Sequence, residues 1–359
     1  MKTLYFDARF IRLDHHDGIS RFSVELIRAL NSKIEVVAII CEPRQLDFLP
    51  TGIKHVMLNS PESAKEFWIA GKLNKLGAEN VYSPMQVMGS FRRKYKLVLT
   101  LHDLIYYRHR KPPQDLNLLL RVLWRLYHLS YLPQRILLNR ADAIVTVSKT
   151  TKELIGRHRL TRRPVSVVYN APTPGNAVKS RKYPASKDLI YIGSFMPYKN
   201  VETLVRGVGQ AEGFTLHLLS KIDSKRQSEL SKLAAENNAS VKFHNGVSDL
   251  EYRDLLSNAF ALVTASKDEG FGIPLVEGMI QATPVVVSDL TIFREVAGDS
   301  GTFFNPEMPK QLADSLSELS REEIWLQKSQ SALAQAKKFN WDNSAQELIR
   351  VFNRLETSD

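Results

Sequence analysis

Ser266-Lys267-Asp268-Glu269-Gly270-Phe271-Gly272-Ile273-Pro274-Leu275-Val276-Glu277-Gly278 follows a short apolar run, Ala261–Ala265, that has the length and composition of a buried parallel strand. Gly270 and Gly272 let the backbone pass close to a ligand, and Pro274 suits the first turn of a helix, where its missing N–H costs nothing. A helix that starts here presents free N–H groups and the positive end of its dipole to a phosphate. Glu277 lies about one turn into that helix, placed to accept hydrogen bonds from ribose hydroxyls. Glu269, in the loop, is placed to receive the hydroxyls of a sugar. A glycine-rich turn capped by acids would explain the same residues without any ligand.

The alternation of apolar run and helical pattern extends outward from this segment in both directions. Leu189–Ile192, Thr215–Leu219, Val241–His244, Ala261–Ala265 and Pro284–Ser288 read as one set of strands. Leu4–Phe6, Val36–Ile40, Val81–Tyr82, Leu97–Leu101 and Ala143–Val147 read as another, with amphipathic stretches such as Arg21–Leu30 and Leu116–Leu132 between them. Strands that alternate with helices predict parallel sheets of the doubly wound kind. Between the sets, Val168-Tyr169-Asn170-Ala171-Pro172-Thr173-Pro174-Gly175 and the basic Lys179–Lys187 segment have the composition of a linker. Two α/β domains of similar size in series are expected, with ligands beyond the carboxyl ends of the strands and a cleft between the domains as the default site.

Composition narrows the function classes. The 359 residues are 43% hydrophobic and 24% charged, an ordinary globular balance that argues against a disordered, collagenous or disulfide-rich chain. One cysteine, Cys41, can form neither an internal disulfide nor a multi-cysteine metal site, which points to a reducing compartment. The first residues lack a signal-peptide pattern, and no run approaches the ~20 apolar residues that span a bilayer. A soluble chain, or one resting on a membrane surface, is expected. The net charge of +11 is uneven: residues 1–180 carry 29 Lys+Arg against 14 Asp+Glu, residues 181–359 carry 20 against 24. A basic first half suits an anionic membrane, an acidic acceptor or nucleic acid. Nucleic acid would need a groove-reading motif or interleaved stacking aromatics, and the chain has neither. A hydride-transferring dinucleotide enzyme is disfavoured, because no G-x-G-x-x-G follows the first strands.

The Glu269-to-Glu277 stretch resembles the E-x7-E motif of retaining glycosyltransferases of family 4, which have the GT-B architecture. Further matches run along nearly the whole chain. Asp14-His15-His16-Asp17-Gly18-Ile19-Ser20-Arg21 is similar to the family's N-terminal glycine loop, and Leu99-Thr100-Leu101-His102-Asp103-Leu104 to its strand-end His-Asp pair. Thr146-Val147-Ser148-Lys149 is similar to the strand-end Ser before a helix, and Gly193-Ser194-Phe195-Met196-Pro197-Tyr198-Lys199-Asn200 to the donor-domain loop with its phosphate-binding Lys. Gly246-Val247-Ser248 matches the loop near the nucleobase. Phe339-Asn340-Trp341-Asp342 before a last helix matches the segment that crosses back to the N-terminal domain.

The resemblance implies two Rossmann-like domains facing across a deep cleft. Residues 1–172 with a crossing helix over 343–359 would be the acceptor domain, and 173–342 the donor domain. It implies transfer of a sugar from a nucleotide-diphosphate donor, with retention of configuration and without a metal. Implied catalytic residues are His102, Glu269 and Lys199. The implied donor site is Gly18, Arg21, Ser194, Lys199, Gly246, Val247, Glu269, Gly270, Phe271, Gly272 and Glu277. Asp103 and His102 would face the acceptor, and Asp103 could instead cap the next turn. The family often places an Arg beside or before the Lys, where this chain has Tyr198 and Ser194. The diphosphate would then depend more on Lys199, backbone N–H groups and Arg21.

Bacterial mannosyltransferases provide the nearest general likeness, which makes GDP-mannose the first choice of donor. UDP-glucose, UDP-N-acetylglucosamine and a deoxysugar donor stay open. The acceptor would be a glycan or a lipid-linked glycan. His15 and His16 have no second cluster to complete a metal site, and no Asp-x-Asp stands between a strand and the donor segment. No cofactor is expected. Arg121, Arg125 and His128 on Leu116–Leu132, with Arg92-Arg93-Lys94, Lys96, Arg108-His109-Arg110-Lys111 and Arg157–Arg163, could rest on anionic lipid at the inner face of the cell membrane. An internal helix with a solvated basic edge is the alternative. A noncatalytic nucleotide- or glycan-binding scaffold of the same fold is the competing class, against which Glu269, Glu277, Lys199 and His102 all stand intact.

Overall fold

Short runs of valine, leucine and isoleucine become the strands of two all-parallel sheets. The computed structural model describes residues 3–13, 18–110, 118–173, 178 and 180–357. The chain divides into two units, Met1–Thr173 with Asn340–Asp359, and Pro174–Phe339.

The first unit holds β1 (Thr3–Asp7), β2 (Glu35–Ile40), β3 (Lys54–Met57), β4 (Asn80–Ser83), β5 (Lys96–Leu101), β6 (Ala143–Thr146) and β7 (Val165–Val167) in the order β3-β2-β1-β4-β5-β6-β7. The second holds β8 (Asp188–Tyr191), β9 (Thr215–Leu218), β10 (Ser240–Phe243), β11 (Ala261–Thr264), β12 (Val285–Ser288) and β13 (Thr302–Phe304) in the order β10-β9-β8-β11-β12-β13. Each sheet reverses its strand order once, at β1/β4 and at β8/β11, and such a switch point opens a crevice beyond the strand ends. β4, β6, β11 and β12 are buried along their whole length, as strands covered on both faces must be. Three strands that hydrophobicity did not reveal, β3, β7 and β13, are all sheet edges, where half the side chains need no apolar partner.

The second unit's core gathers Tyr191, Leu204, Leu216, Phe260, Val286 and Trp325, with the Trp325 indole donating to the Phe260 carbonyl at 2.8 Å. In the first unit, Ile39, Leu73, Val81, Leu97, Leu99 and Ile144 lie in one cluster.

The last helix, Trp341–Glu356, returns to the first unit and packs on the Gly18–Asn31 helix. Asn340 caps it through the Asn343 N–H. Trp341 Nε1 donates to the Pro172 carbonyl at 3.0 Å, and its ring meets Phe22 edge-on at 5.8 Å. Ser344 donates to the Tyr169 carbonyl at 2.7 Å, and Asp342 pairs with Lys33 at 2.7 Å. The passage into the first unit therefore begins at Asn340.

Leu116–Leu132 departs from its expected single helix. Leu118–Tyr127 is helical, and a second helix, Leu132–Leu138, starts at Leu132 with Pro133 in its first turn. No residue of Leu118–Tyr127 is buried, so the alternative of an internal helix does not hold.

Candidate active site

The β8/β11 switch point places two loops side by side. The loop after β8 carries Gly193–Lys199, and the loop after β11 carries Ser266–Gly272. The Lys267 N–H donates to the Tyr198 carbonyl at 2.7 Å and joins them. Asn200, in the left-handed conformation at φ +53°, donates its amide to the carbonyls of Ala265 (3.2 Å) and Pro306 (2.8 Å). Between these stitches Lys199 Nζ forms an ion pair with Glu269 Oε1, each side chain 15% exposed. Ser266 Oγ donates to the same oxygen at 3.1 Å, and the Tyr198 ring lies 5.4 Å from the ammonium. Two charges this dry persist because each cancels the other's desolvation cost; removing either would strand its partner. Burial pushes the Tyr191 phenol well above its ordinary range. It therefore serves as a neutral donor, holding the Ser194 carbonyl at 2.6 Å.

Gly272 turns the chain into the next helix at φ +91°, and a Cβ there would come within 3.0 Å of the Phe293 ring. The helix Ile273–Ile280 has Pro274 in its first turn. Glu277, buried on that helix, accepts a hydrogen bond from the Tyr252 hydroxyl at 3.0 Å. Gly270 and Phe271 are buried as well, and the Phe271 ring packs edge-on against Phe339 at 5.5 Å. The part of Phe271 that a ligand at this turn can meet is thus its backbone. On the neighbouring edge, Gly246 at φ +104° sends its N–H to the Leu219 carbonyl. Val247 is half-buried, and Ser248 caps the Asp249–Asn258 helix through the Glu251 N–H. Ser194 is exposed at the surface of its loop.

In the first unit, His102 follows β5 directly. Its Nε2 lies 2.7 Å from the Pro84 carbonyl, which can only accept, so Nε2 carries a proton. Phe22 meets the imidazole edge-on at 5.3 Å, and Thr151 donates to the His102 carbonyl at 3.3 Å. Ser148 caps the Lys149–Arg157 helix through the Thr151 N–H. Asp103 Oδ1 accepts the Ile105 N–H at 2.9 Å, which makes it the cap of a short turn. His102 and Asp103 line a cavity of about 140 Å³ together with Ile19, Gln86, Tyr106 and His128. Gly18 opens the Gly18–Asn31 helix, and Arg21 is half-buried in its first turn. Asp14, His15, His16 and Asp17 lie outside the described residues, as do Pro174, Gly175 and Lys179. Among the described residues no group of three His, Cys, Asp or Glu side chains is arranged to hold a metal ion.

The structure thus brings Lys199, Glu269, Gly270, Gly272 and Glu277 onto adjacent segments beyond the carboxyl ends of the second sheet's central strands, and His102 and Asp103 into one cavity of the first unit. Sequence reasoning passed over Ser266, Asn200 and Tyr252. Ser266 and Asn200 stood inside quoted segments as ordinary polar residues. Tyr252 had one legible sign, its place four residues after the capping Ser248.

Two sequence families divide the chain between them. Residues 16–172 match glycosyltransferase family 4, and residues 175–339 match the glycosyl transferases group 1. The chain belongs to the family 4 glycosyltransferases. It is therefore an enzyme that transfers glycosyl groups, with two Rossmann-like domains of the GT-B class. The O-antigen chain mannosyltransferase RfbU of Salmonella typhimurium is 24% identical over 318 residues, 85% of this chain and 87% of that protein. A phosphatidyl-myo-inositol mannosyltransferase of Mycobacterium leprae is 38% identical over 93 residues, 25% of each chain. Among solved structures, sucrose-phosphate synthase of Thermosynechococcus elongatus superposes over all of both chains with a TM-score of 0.76 at 17% identity. HepE of Anabaena, in complex with UDP and glucose, covers 99% of this chain and all of its own with a TM-score of 0.71 at 15% identity. At these identities the structural likeness speaks for the fold.

Proposed function

We propose that this glycosyltransferase moves a mannosyl group from GDP-mannose to a hydroxyl of a glycan or lipid-linked acceptor, with retention of anomeric configuration and without a metal ion. The observation that carries the donor site is the Lys199–Glu269 pair at the β8/β11 switch point, beside the Gly272-launched helix that bears Glu277. The sugar rests on the mannosyltransferases among the relatives.

The chemistry follows from charge. As the bond from the anomeric carbon to the leaving phosphate breaks, negative charge grows on the phosphate oxygen and positive charge on the sugar ring. A fixed cation and helix N–H groups aimed at the phosphate stabilise the first without reorganising. Lys199 and the Ile273 helix start supply them, and a bound diphosphate draws Lys199 from Glu269, which turns to the sugar hydroxyls. Glu277 takes ribose hydroxyls, and the backbone at Gly246 and Val247 lies against the base. His102, its Nε2 proton held by the Pro84 carbonyl, is assigned to the reacting sugar, with Asp103 holding its loop. Retention follows from the family resemblance, with the leaving phosphate helping to deprotonate the acceptor.

The first unit meets the acceptor's membrane. Leu118–Tyr127 exposes Leu118, Leu119, Leu120, Val122, Leu123 and Leu126, and residues 118–141 contain no Asp or Glu but several Arg. Such a helix suits an anionic bilayer surface on the cytoplasmic side.

A thermal-shift screen against GDP-, UDP- and dTDP-sugars tests the donor. Stabilisation by GDP-mannose above all others, followed by an α-linked product in the proton NMR spectrum that forms equally well with a chelator present, is the expected outcome. A larger shift with UDP-glucose or UDP-N-acetylglucosamine would replace the sugar. Binding without turnover on any glycan acceptor would favour the scaffold.

A further inference from the structure

Glu277 is buried on its helix, and a group that bonds its carboxylate comes from another element. Tyr252, itself buried, sits four residues after the capping Ser248 on the Asp249–Asn258 helix, and its amide bonds back to the Ser248 carbonyl at 2.8 Å. From there the phenol crosses to Glu277 and donates to Oε2 at 3.0 Å. A second link anchors the same helix to the far end of the Glu277 helix. Thr283 Oγ1, just beyond Ile280, donates to the Leu256 carbonyl at 2.7 Å. Leu256 and Tyr252 are the two buried residues of their helix, one turn apart, so both links lie on one face.

We propose that Tyr252 is a positioning residue for the donor: its hydroxyl locks the Glu277 carboxylate in the orientation that receives the ribose hydroxyls. The inference rests on the assignment of Glu277 to the ribose. The physical reason is the form of the contact. A hydrogen bond to a carboxylate oxygen is directional, and a buried one holds its acceptor without competition from water. A glutamate has three rotatable bonds, and freedom that is lost before the nucleotide binds is not charged against affinity. The arrangement also joins two donor contacts through one capped helix. Gly246 and Val247 precede Ser248 immediately, so the cap that orients their loop also sets the height of Tyr252.

The test measures Kd by calorimetry for GDP and UDP, and for their 2′,3′-dideoxy counterparts, with the wild type, Tyr252→Phe, Tyr252→Leu and Glu277→Gln. Loss of one buried hydrogen bond predicts about fivefold to tenfold weaker binding of the better ribonucleotide to Tyr252→Phe. The same variant should bind the dideoxy analogue as the wild type does, because no ribose hydroxyl remains to be held. In turnover, donor KM should rise by a similar factor while kcat at saturation changes less than about twofold. Tyr252→Leu, which keeps the apolar contact, should show the same selective loss. Equal weakening toward both nucleotides, or none toward the ribonucleotide, would overturn the positioning role. If Glu277→Gln binds ribo- and dideoxynucleotides with unchanged preference, or the wild type binds neither GDP nor UDP, the ribose assignment itself fails. A selective loss in Glu277→Gln with none in Tyr252→Phe would remove Tyr252 alone.

Discussion

Lys199 and Glu269, in the second unit, are charged and 15% exposed, whereas Leu119 and Leu123, in the first, are aliphatic and 69% and 51% exposed. The two regions invert the usual partition of residues in opposite directions, and each inversion costs folding free energy. The cost at the switch point is offset internally, since the ion pair, Ser266 and the Tyr198 ring satisfy the charges before any ligand arrives. Along Leu118–Tyr127 the leucines stay exposed among the described residues, so their cost is offset far less. A region that settles its own charges is prepared to exchange one partner for a ligand of the same sign. A region that leaves hydrocarbon in water is prepared for something outside the chain to cover it.

The sharpest way to break the comparison is at the ion pair. Lys199→Ala should lower kcat by about 100-fold or more if the ammonium neutralises the leaving diphosphate. It should also cost about 3 kcal/mol of stability by leaving Glu269 buried without its partner. The double variant Lys199→Met with Glu269→Gln, neutral and of similar volume, should recover most of that stability and none of the turnover. Denaturant unfolding beside steady-state kinetics separates the two effects, and near-normal turnover in either variant would take Lys199 out of the site.

The exposed helix gives the next largest effect. Leu119→Asp with Leu123→Asp should reduce flotation with anionic vesicles by about tenfold. Stability should change by less than about 0.5 kcal/mol, because these side chains are largely exposed. Equal flotation of wild type and variant would leave the aliphatic face without a lipid partner.

The smallest effect belongs to a buried histidine away from both regions. His217, on β9, lies 3.1 Å from Asp188 and 3.0 Å from His244. Burial, opposed by the Asp188 carboxylate, holds its pKa below the ordinary 6.5, with His244 and Lys242 pulling the same way as burial. The unfolded chain therefore takes up this proton at higher pH than the folded one. The stabilising contribution is present above 6.5 and declines as pH falls below it. Thermal unfolding of the second unit should lose stability on that side, and His217→Gln should flatten the slope. An identical slope in the variant would assign the loss to other groups.

Much of the site was legible because its chemistry is local. Gly270, Gly272 and Pro274 announce a turn and a helix start within a few residues, and the acid at each end of that segment stands at a readable spacing. β2, β5, β11 and β12 were legible because the buried stretch of a strand covered on both faces is a near-continuous apolar run. The edges β3, β7 and β13 were not, since an edge strand needs less apolar surface and half of its pattern is lost. Asp103 showed its alternative plainly, a carboxylate two residues before an N–H it could cap. Phe271 did not show that its ring would turn inward to Phe339, 68 positions along the chain.

From its sequence alone, this protein's class was determined: two parallel α/β sheets, a glycine-flanked helix start in the second, an unusually basic first half, and the family to which they belong. Local backbone preference and apolar periodicity carry that information, and both act over a handful of residues. Only the tertiary structure decided that Lys199 meets Glu269, that Tyr252 bonds Glu277, and that the leucines of Leu118–Tyr127 stay exposed. Those contacts span tens of residues. They come into being when the order of strands brings one loop beside another, and residue spacing along the chain holds no record of that order.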